Sequence, residues 1–234
     1  MIRNILSVVM LMLLVSSCNM DCMEGRGDLK TETRVLKSFS KIKLGLDARV
    51  IVTKDSVQSI RIEAQPNILQ ILTTEISGGE LNISSDECIT DYKTITVYIS
   101  IPNLEGVDVN GSGTIETRGT FMPEKIDLTI NGSGTINATL SANEAYAQIR
   151  GSGNINLNGS ARKFDIDIAG SGDVNAQDMP AQNCNVDVKG SGNCKVFAIT
   201  KLDVNVAGSG NVYYKGKPDI SNSIAGSGKL EKMN

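Results

Sequence analysis

One tripeptide, Gly-Ser-Gly, recurs seven times in this chain, starting at residues 111, 132, 151, 170, 190, 208 and 226. The spacing is 18–21 residues throughout. A flexible linker would cluster such residues. A phosphate-cradling loop would need a following helix or a Lys-Ser/Thr partner. A fixed period near 20 residues instead signals a stacked repeat, one coil per unit.

Alignment of the seven units shows what kind of coil. Counted from the first Gly, position −2 holds Val109, Ile130, Ile149, Ile168, Val188, Val206 and Ile224. Position −4 holds Val107, Leu128, Ala147, Ile166, Val186, Val204 and Asn222, and position +4 holds Ile115, Ile136, Ile155, Val174, Cys194, Val212 and Leu230. The positions between are polar. Alternation with period two marks a strand with one face buried. Helical repeats need a 3.6-residue period, leucine-rich repeats their own leucine spacing, and propeller blades about twice this length. The pattern predicts an all-β chain: a right-handed parallel β-helix of about seven 18–21-residue coils, with right-handed crossovers as the rule.

The glycines then read as corners. Gly111 and Gly113, Gly132 and Gly134, Gly151 and Gly153, Gly170 and Gly172, Gly190 and Gly192, Gly208 and Gly210, and Gly226 and Gly228 all fall at even, inward positions. A Cβ there is expected to collide with neighbouring coils where the chain bends. The intervening Ser points outward.

Residues 106–234 form this helix in the sequence reading. Residues 34–105 alternate like strands between turn signals, for example "SIRIEAQ" and "KTITVYISIP". They predict a β-rich N-terminal part packed on the first coil, covering an edge that would otherwise invite aggregation.

Residues 1–17 read as a signal peptide, with Arg3 ahead of a short apolar run. "LVSSC" (14–18) resembles a bacterial lipobox, which implies diacylglycerol on Cys18 and attachment to a membrane through that lipid. Asn19, rather than Asp, after the Cys favours the outer membrane. Residues 18–33 are polar and aperiodic and read as a lipidated tether; the Arg26-Gly27-Asp28 tripeptide in it is read as chance. Four cysteines remain. Cys184 and Cys194 occupy apolar columns and read as small buried hydrophobes. Cys22 and Cys88 have no column to explain them, and pairing among the four stays open.

Composition narrows function. The chain has no His, the commonest general base and metal ligand. Its net charge of −3 gives no basic field for nucleic acid. One acidic cluster faces outward: Asp165 and Asp167 on one strand, Asp187 stacked on Asp167, and Asp203 on their flank, with Lys189 near. It reads either as a solvated face or as a site for Ca²⁺ or acid–base chemistry. Tyr146 and Tyr213 are the aromatics in the outward columns traced, a sparse supply of sugar platforms. Asp55-Ser56-Val57 resembles an O-glycosylation acceptor, but the preferred reading is a plain turn.

Four stretches together carry a family resemblance: "SFSKIKLGLDARVIVTKD" (38–55), "LTTEISGGELNI" (72–83), "TVYISIPNLEGVDVNGSGTI" (96–115) and the serial GSG repeats. Over residues 34–234 the chain resembles the auto-transporter adhesin head GIN domain, a domain of unknown function in bacterial envelope lipoproteins. The resemblance implies a β-helix and a Gram-negative envelope location, lipid-anchored at the outer membrane on its periplasmic face or at the cell surface. It carries no catalytic residues. The expected role is an adhesin-like or scaffold module without catalysis, engaging a protein or glycan ligand, with self-association open. The alternative is a polysaccharide-processing enzyme that uses the carboxylate cluster.

Overall fold

The computed structural model describes residues 22–233. The regular structure of the described residues is nearly all β, wound into a parallel β-solenoid of about seven turns. Strands β10 (Gly106–Gly111), β12 (Lys125–Gly132), β13 (Thr135–Gly151), β14 (Asn154–Gly170), β15 (Asp173–Gly190), β16 (Cys194–Gly208) and β18 (Asp219–Gly226) each end on the first glycine of a GSG unit. Strands β11 (Thr114–Arg118), β17 (Asn211–Lys215) and β19 (Lys229–Lys232) start just beyond one, as β13, β14 and β15 also do.

The sequence columns are the structural columns. Val107 pairs with Leu128, Leu128 with Ala147, Ala147 with Ile166, Ile166 with Val186, and Val186 with Val204, all in parallel register. After the corner, Ile115, Ile136, Ile155, Val174, Cys194 and Val212 stack likewise, each at most 1% exposed. Each such side chain removes its apolar surface from water, worth about 1.5–3 kcal/mol. The interior is therefore a set of continuous apolar ladders. Variation in coil length is absorbed away from the GSG corner: the register shifts fall between Asn156 and Asn158, between Ala176 and Pro180, and between Ala181 and Asn183. Pro180, which has no N–H to give a ladder, sits at such an irregularity.

The two glycines of a corner differ, which corrects the reading that both point inward. The second glycine lies inside. A Cβ on Gly172 would fall on the carbonyl oxygen of Gly153 and 2.7 Å from Cγ2 of Ile149. The first glycine is half-buried or exposed and carries the bend: Gly170 has φ +135°, and the first glycines of all seven units lie between +116° and +137°. That backbone region is closed to most side chains. From Gly132 onward a Cβ there would strike the backbone of the coil before, not the core, whereas at Gly111 it would meet open space.

Residues 34–105 do more than pack on the first coil. Strands β3 (Lys41–Leu44) and β4 (Arg49–Lys54) pair in parallel with β10 and β11. Strands β7 (Glu80–Ser85) and β9 (Thr96–Ile101) pair in parallel with β3 and β4. The segment thus adds two further solenoid layers, stacked in the reverse of chain order. Antiparallel strands then cover the end: β6 (Leu72–Ser77) on β7, β5 (Ser59–Ala64) on β9, and β2 (Lys30–Arg34) on β5. Helix α1 (Pro66–Ile71) starts on its proline and buries Ile68 and Leu69.

The tether reading also gives way from Cys22 onward. Cys22 and Cys88 form a disulfide across 66 residues. Beside it, β1 (Met23–Glu24) pairs with β8 (Ile89–Thr90). Asp28, in the Arg-Gly-Asp tripeptide, accepts a bond from Lys93 Nζ at 2.9 Å, and that contact lowers its pKa. Cys184 and Cys194 are free and buried. Burial disfavours the thiolate, so the Cys184 pKa is pushed up to about 12 and that of Cys194 well above its ordinary value.

Candidate functional site

The solenoid presents two long outward faces, one from the strands before each GSG corner and one from the strands after it. The first carries the aspartates singled out by sequence. Asp167 and Asp187 are register neighbours, and Asn185 stands between Asp165 and Asp203. Strand geometry points residues two apart to the same side, and each acid except Asp167 uses that to meet a lysine. Lys163 donates to Asp165 at 2.5 Å, Lys189 to Asp187 at 3.1 Å, and Lys201 to Asp203 at 2.6 Å. The carboxylates in turn raise the pKa of Lys163 and Lys189. Asp167 accepts from Gln148 Nε2 at 3.3 Å, and Gln148 also donates to the Tyr146 hydroxyl at 2.7 Å. Burial, then the Asp167 charge, raises the Tyr146 pKa.

This is the arrangement of a salt-bridged, solvated surface, where screening by water leaves each pair little effect on stability. Among the described residues no group of three or more His, Cys, Asp or Glu is placed to hold a metal ion. The Ca²⁺ reading of Asp165, Asp167 and Asp187 therefore has no ligand set. Cys18 lies outside the described residues. Asp55 closes an exposed turn by accepting from the Val57 N–H at 3.2 Å.

The other face differs in chemistry. One outward column after the corner runs Glu116, Asn137, Asn156, Asn175, Lys195 and Tyr213. Beside it, nearer the corner, run Thr135, Asn154 and Asp173 in register, continued by Asn193 and Asn211. Amides bond along the stack: Asn156 Nδ2 to Asn137 Oδ1 at 2.8 Å, Asn193 Nδ2 to Asp173 Oδ1 at 3.0 Å, and Asn211 Nδ2 to Asn193 Oδ1 at 3.1 Å. These bonds fix the side chains in rows and leave part of each amide's capacity unused. Asn175 Oδ1 is shielded from solvent and accepts no hydrogen bond from the protein. Such an acceptor is costly unless something donates to it.

Two concavities open on this face. One, of about 870 Å³, is lined by Asn154, Asn156, Asp173, Asn175, Lys195 and Tyr213, among others. The second, of about 700 Å³, is lined by Asp47, Arg49, Asp91, Tyr92, Glu116 and Asn137, among others. Neighbouring residues of one strand, Thr135 and Asn137, border the two. Arg49 and Glu116 form an ion pair at 2.8 Å. The Tyr92 hydroxyl donates to Asp47 Oδ2 at 3.1 Å, and its pKa is raised first by burial and then by that carboxylate. Asp91 adopts a positive φ of 45° just before Tyr92. The loop thus brings a second tyrosine to the face that already holds Tyr213.

Sequence reasoning reached Tyr213 but not Asn156, Asn175, Lys195 or Tyr92. The asparagines had a signal: "GSGTIN", "GSGNIN" and "GSGDVN" place Asn five residues after the first glycine in three successive units. Tyr92 had none, because it belongs to no repeat.

Comparisons with known proteins place this geometry. A family model described as "Putative auto-transporter adhesin, head GIN domain" matches residues 38–218. A crystal structure from Bacteroides fragilis, described as "a putative adhesin", superposes with a TM-score of 0.86 at 24% identity, covering 90% of this chain and 100% of that one. One from Parabacteroides distasonis, described as "Putative lipid binding protein", gives 0.75 at 23% identity, with 91% and 99% covered. Another from the same species, described as "putative adhesin", gives 0.74 at 22% identity, with 91% and 100% covered. At these identities the likeness is one of fold. No curated protein sequence matches the chain.

Proposed function

From the premise that this chain belongs to the family described as "Putative auto-transporter adhesin, head GIN domain", we propose that it is a non-catalytic binding module of the bacterial cell envelope. Its amide-lined face holds a hydroxyl-rich chain, of the glycan class. One observation carries this: the Asn137–Asn156–Asn175 column, a row of outward amides in register that ends on Lys195 and Tyr213 and, from Asn156 on, lines the larger concavity of this face. An amide both donates and accepts, as a hydroxyl does. A tyrosine ring offers an apolar face with a polar tip. A ladder with one rung per coil suits a ligand that repeats along its length. One structural relative is described as lipid binding. Here the lining is amide, carboxylate and ammonium, which complements hydroxyl groups better than acyl chains.

The test is binding to a panel of immobilised neutral and acidic polysaccharides. The double variant Asn156→Ala, Asn175→Ala is expected to bind about tenfold more weakly, since each hydrogen bond lost is worth about 0.5–1.5 kcal/mol. Asp165→Asn, on the other face, should bind as the parent does. Unchanged affinity in the double variant would remove the groove from consideration. Turnover of a bound polysaccharide, abolished by Asp167→Asn, would instead support the enzyme reading.

The envelope location rests on the lipobox-like "LVSSC". In this reading Cys18 is acylated and the module is held at the outer membrane. Metabolic labelling with a palmitate analogue should mark the parent and not Cys18→Ser. Label retained in that variant would end the lipoprotein reading.

A further inference from the structure

The two ends of the solenoid are finished differently. At the N-terminal end, antiparallel β6 and β5 cover the outer edges of β7 and β9. At the other end, β18 pairs with β16, and among the described residues no strand lies on its far side. An open edge of this kind offers unpaired N–H and C=O groups and normally carries charge or a bulge. Residues 220–224 carry neither.

Their sequence is Ile220-Ser221-Asn222-Ser223-Ile224, a palindrome about Asn222. Register sets the orientations: Ile220, Asn222 and Ile224 continue the columns of the buried Leu202, Val204 and Val206. The two isoleucines are nevertheless 42% and 36% exposed. Asn222 puts an amide where the other six coils have Val, Leu, Ala or Ile. A lone foreign strand gives no reason for this symmetry. A two-fold axis does.

We propose that the C-terminal end coil is a self-association surface, on which β18 pairs antiparallel with β18 of a second copy about an axis through Asn222. In that register Ile220 faces Ile224 of the second copy, Ser221 faces its Ser223, and the two Asn222 side chains meet on the axis. Opposed residues in an antiparallel pair lie on one face, so the two apolar interiors become continuous. The contact is isologous: the same patch serves both copies and closes at two. The five residues carry no charge, so none is opposed by its like, and Asp219 faces Ala225. Two amides can bond each other. A register shifted by two residues would bury Asn222 against isoleucine, and a single buried Asn pair is a known device for fixing register. The glycan face lies to the side, so a dimer presents two of them.

The test is cysteine cross-linking of the full chain in the cells that express it. Cys184 and Cys194 are buried and give little background. Asn222→Cys places two thiols on the axis and is expected to yield a disulfide-linked dimer on mild oxidation. Ala225→Cys is equally exposed, but its two copies would lie roughly 20 Å apart, beyond disulfide reach, so a roughly tenfold weaker dimer band is expected. Co-expressed Ala225→Cys and Asp219→Cys chains should cross-link to each other. Equal bands from residues 222 and 225, or none from 222, overturn the proposed pairing. Sedimentation of the purified parent checks it without substitution at the axis: a dimer supports the proposal, and Asn222→Asp should convert it to monomer by opposing two carboxylates. A monomeric parent overturns it, including the case in which another segment or a different protein covers the end.

Discussion

Substitution of Gly172 by Val is expected to remove about 3 kcal/mol or more of unfolding free energy. The added Cβ would overlap the carbonyl oxygen of Gly153 and approach Ile149 Cγ2 to 2.7 Å. The backbone has little room to retreat: Gly172 donates to the Gly151 carbonyl in the coil before, and Gly192 lies directly above. The strain is therefore transmitted along the stack, since close-packed interiors yield little. The neighbouring Ser171 is exposed, and among the described residues its hydroxyl bonds to none, so Ser171→Ala should shift stability by no more than about 0.5 kcal/mol. Urea unfolding of both variants measures the contrast. Similar midpoints would mean that the GSG unit is not a steric corner.

Loss of the Cys22–Cys88 bridge is expected to produce the second large effect. The bond closes 66 residues, and a chain-entropy estimate for such a loop is about 4 kcal/mol, with about 2–4 kcal/mol a fair expectation for the double Ser variant. The consequence reaches function. Cys88 begins the loop that pairs β8 with β1 and carries Asp91 and Tyr92 to the groove. Polysaccharide binding should fall along with the unfolding midpoint, and reductant should reproduce both effects in the parent but not in the variant. If the variant kept its midpoint and its binding, the bridge would be an accessory to a terminus that other contacts already hold. Among those contacts, Asn67 accepts from the Arg26 N–H and donates to the Glu24 carbonyl.

Much of the solenoid was legible because its rungs repeat a local rule. Ile136, Ile155 and Val174 are buried for one shared reason, and reading one column reads every coil. The face that now carries the functional proposal was partly legible in the same way, through the asparagine five residues after each of three corners. The sequence reading stopped at the acidic cluster instead, because carboxylates draw attention and amides do not. It could not show that Lys163, Lys189 and Lys201 each satisfy an aspartate on their own strand, since that depends on rotamers rather than on spacing alone.

What the sequence alone determined is the coil: its period, its inward columns, its glycine corners and the parallel stacking. In a solenoid each residue's main neighbours are its own counterparts one rung away, so a local pattern suffices. Only the tertiary structure decided the rest. Ala48 is buried at the corner between β3 and β4, where the later coils have the second glycine, so residues 34–105 lost the repeat signal while keeping its geometry. The reversed order of their two layers, the Cys22–Cys88 bridge and the arrival of Tyr92 beside Arg49 and Asn137 all join residues tens of positions apart. Their energies come from contacts that no periodicity encodes.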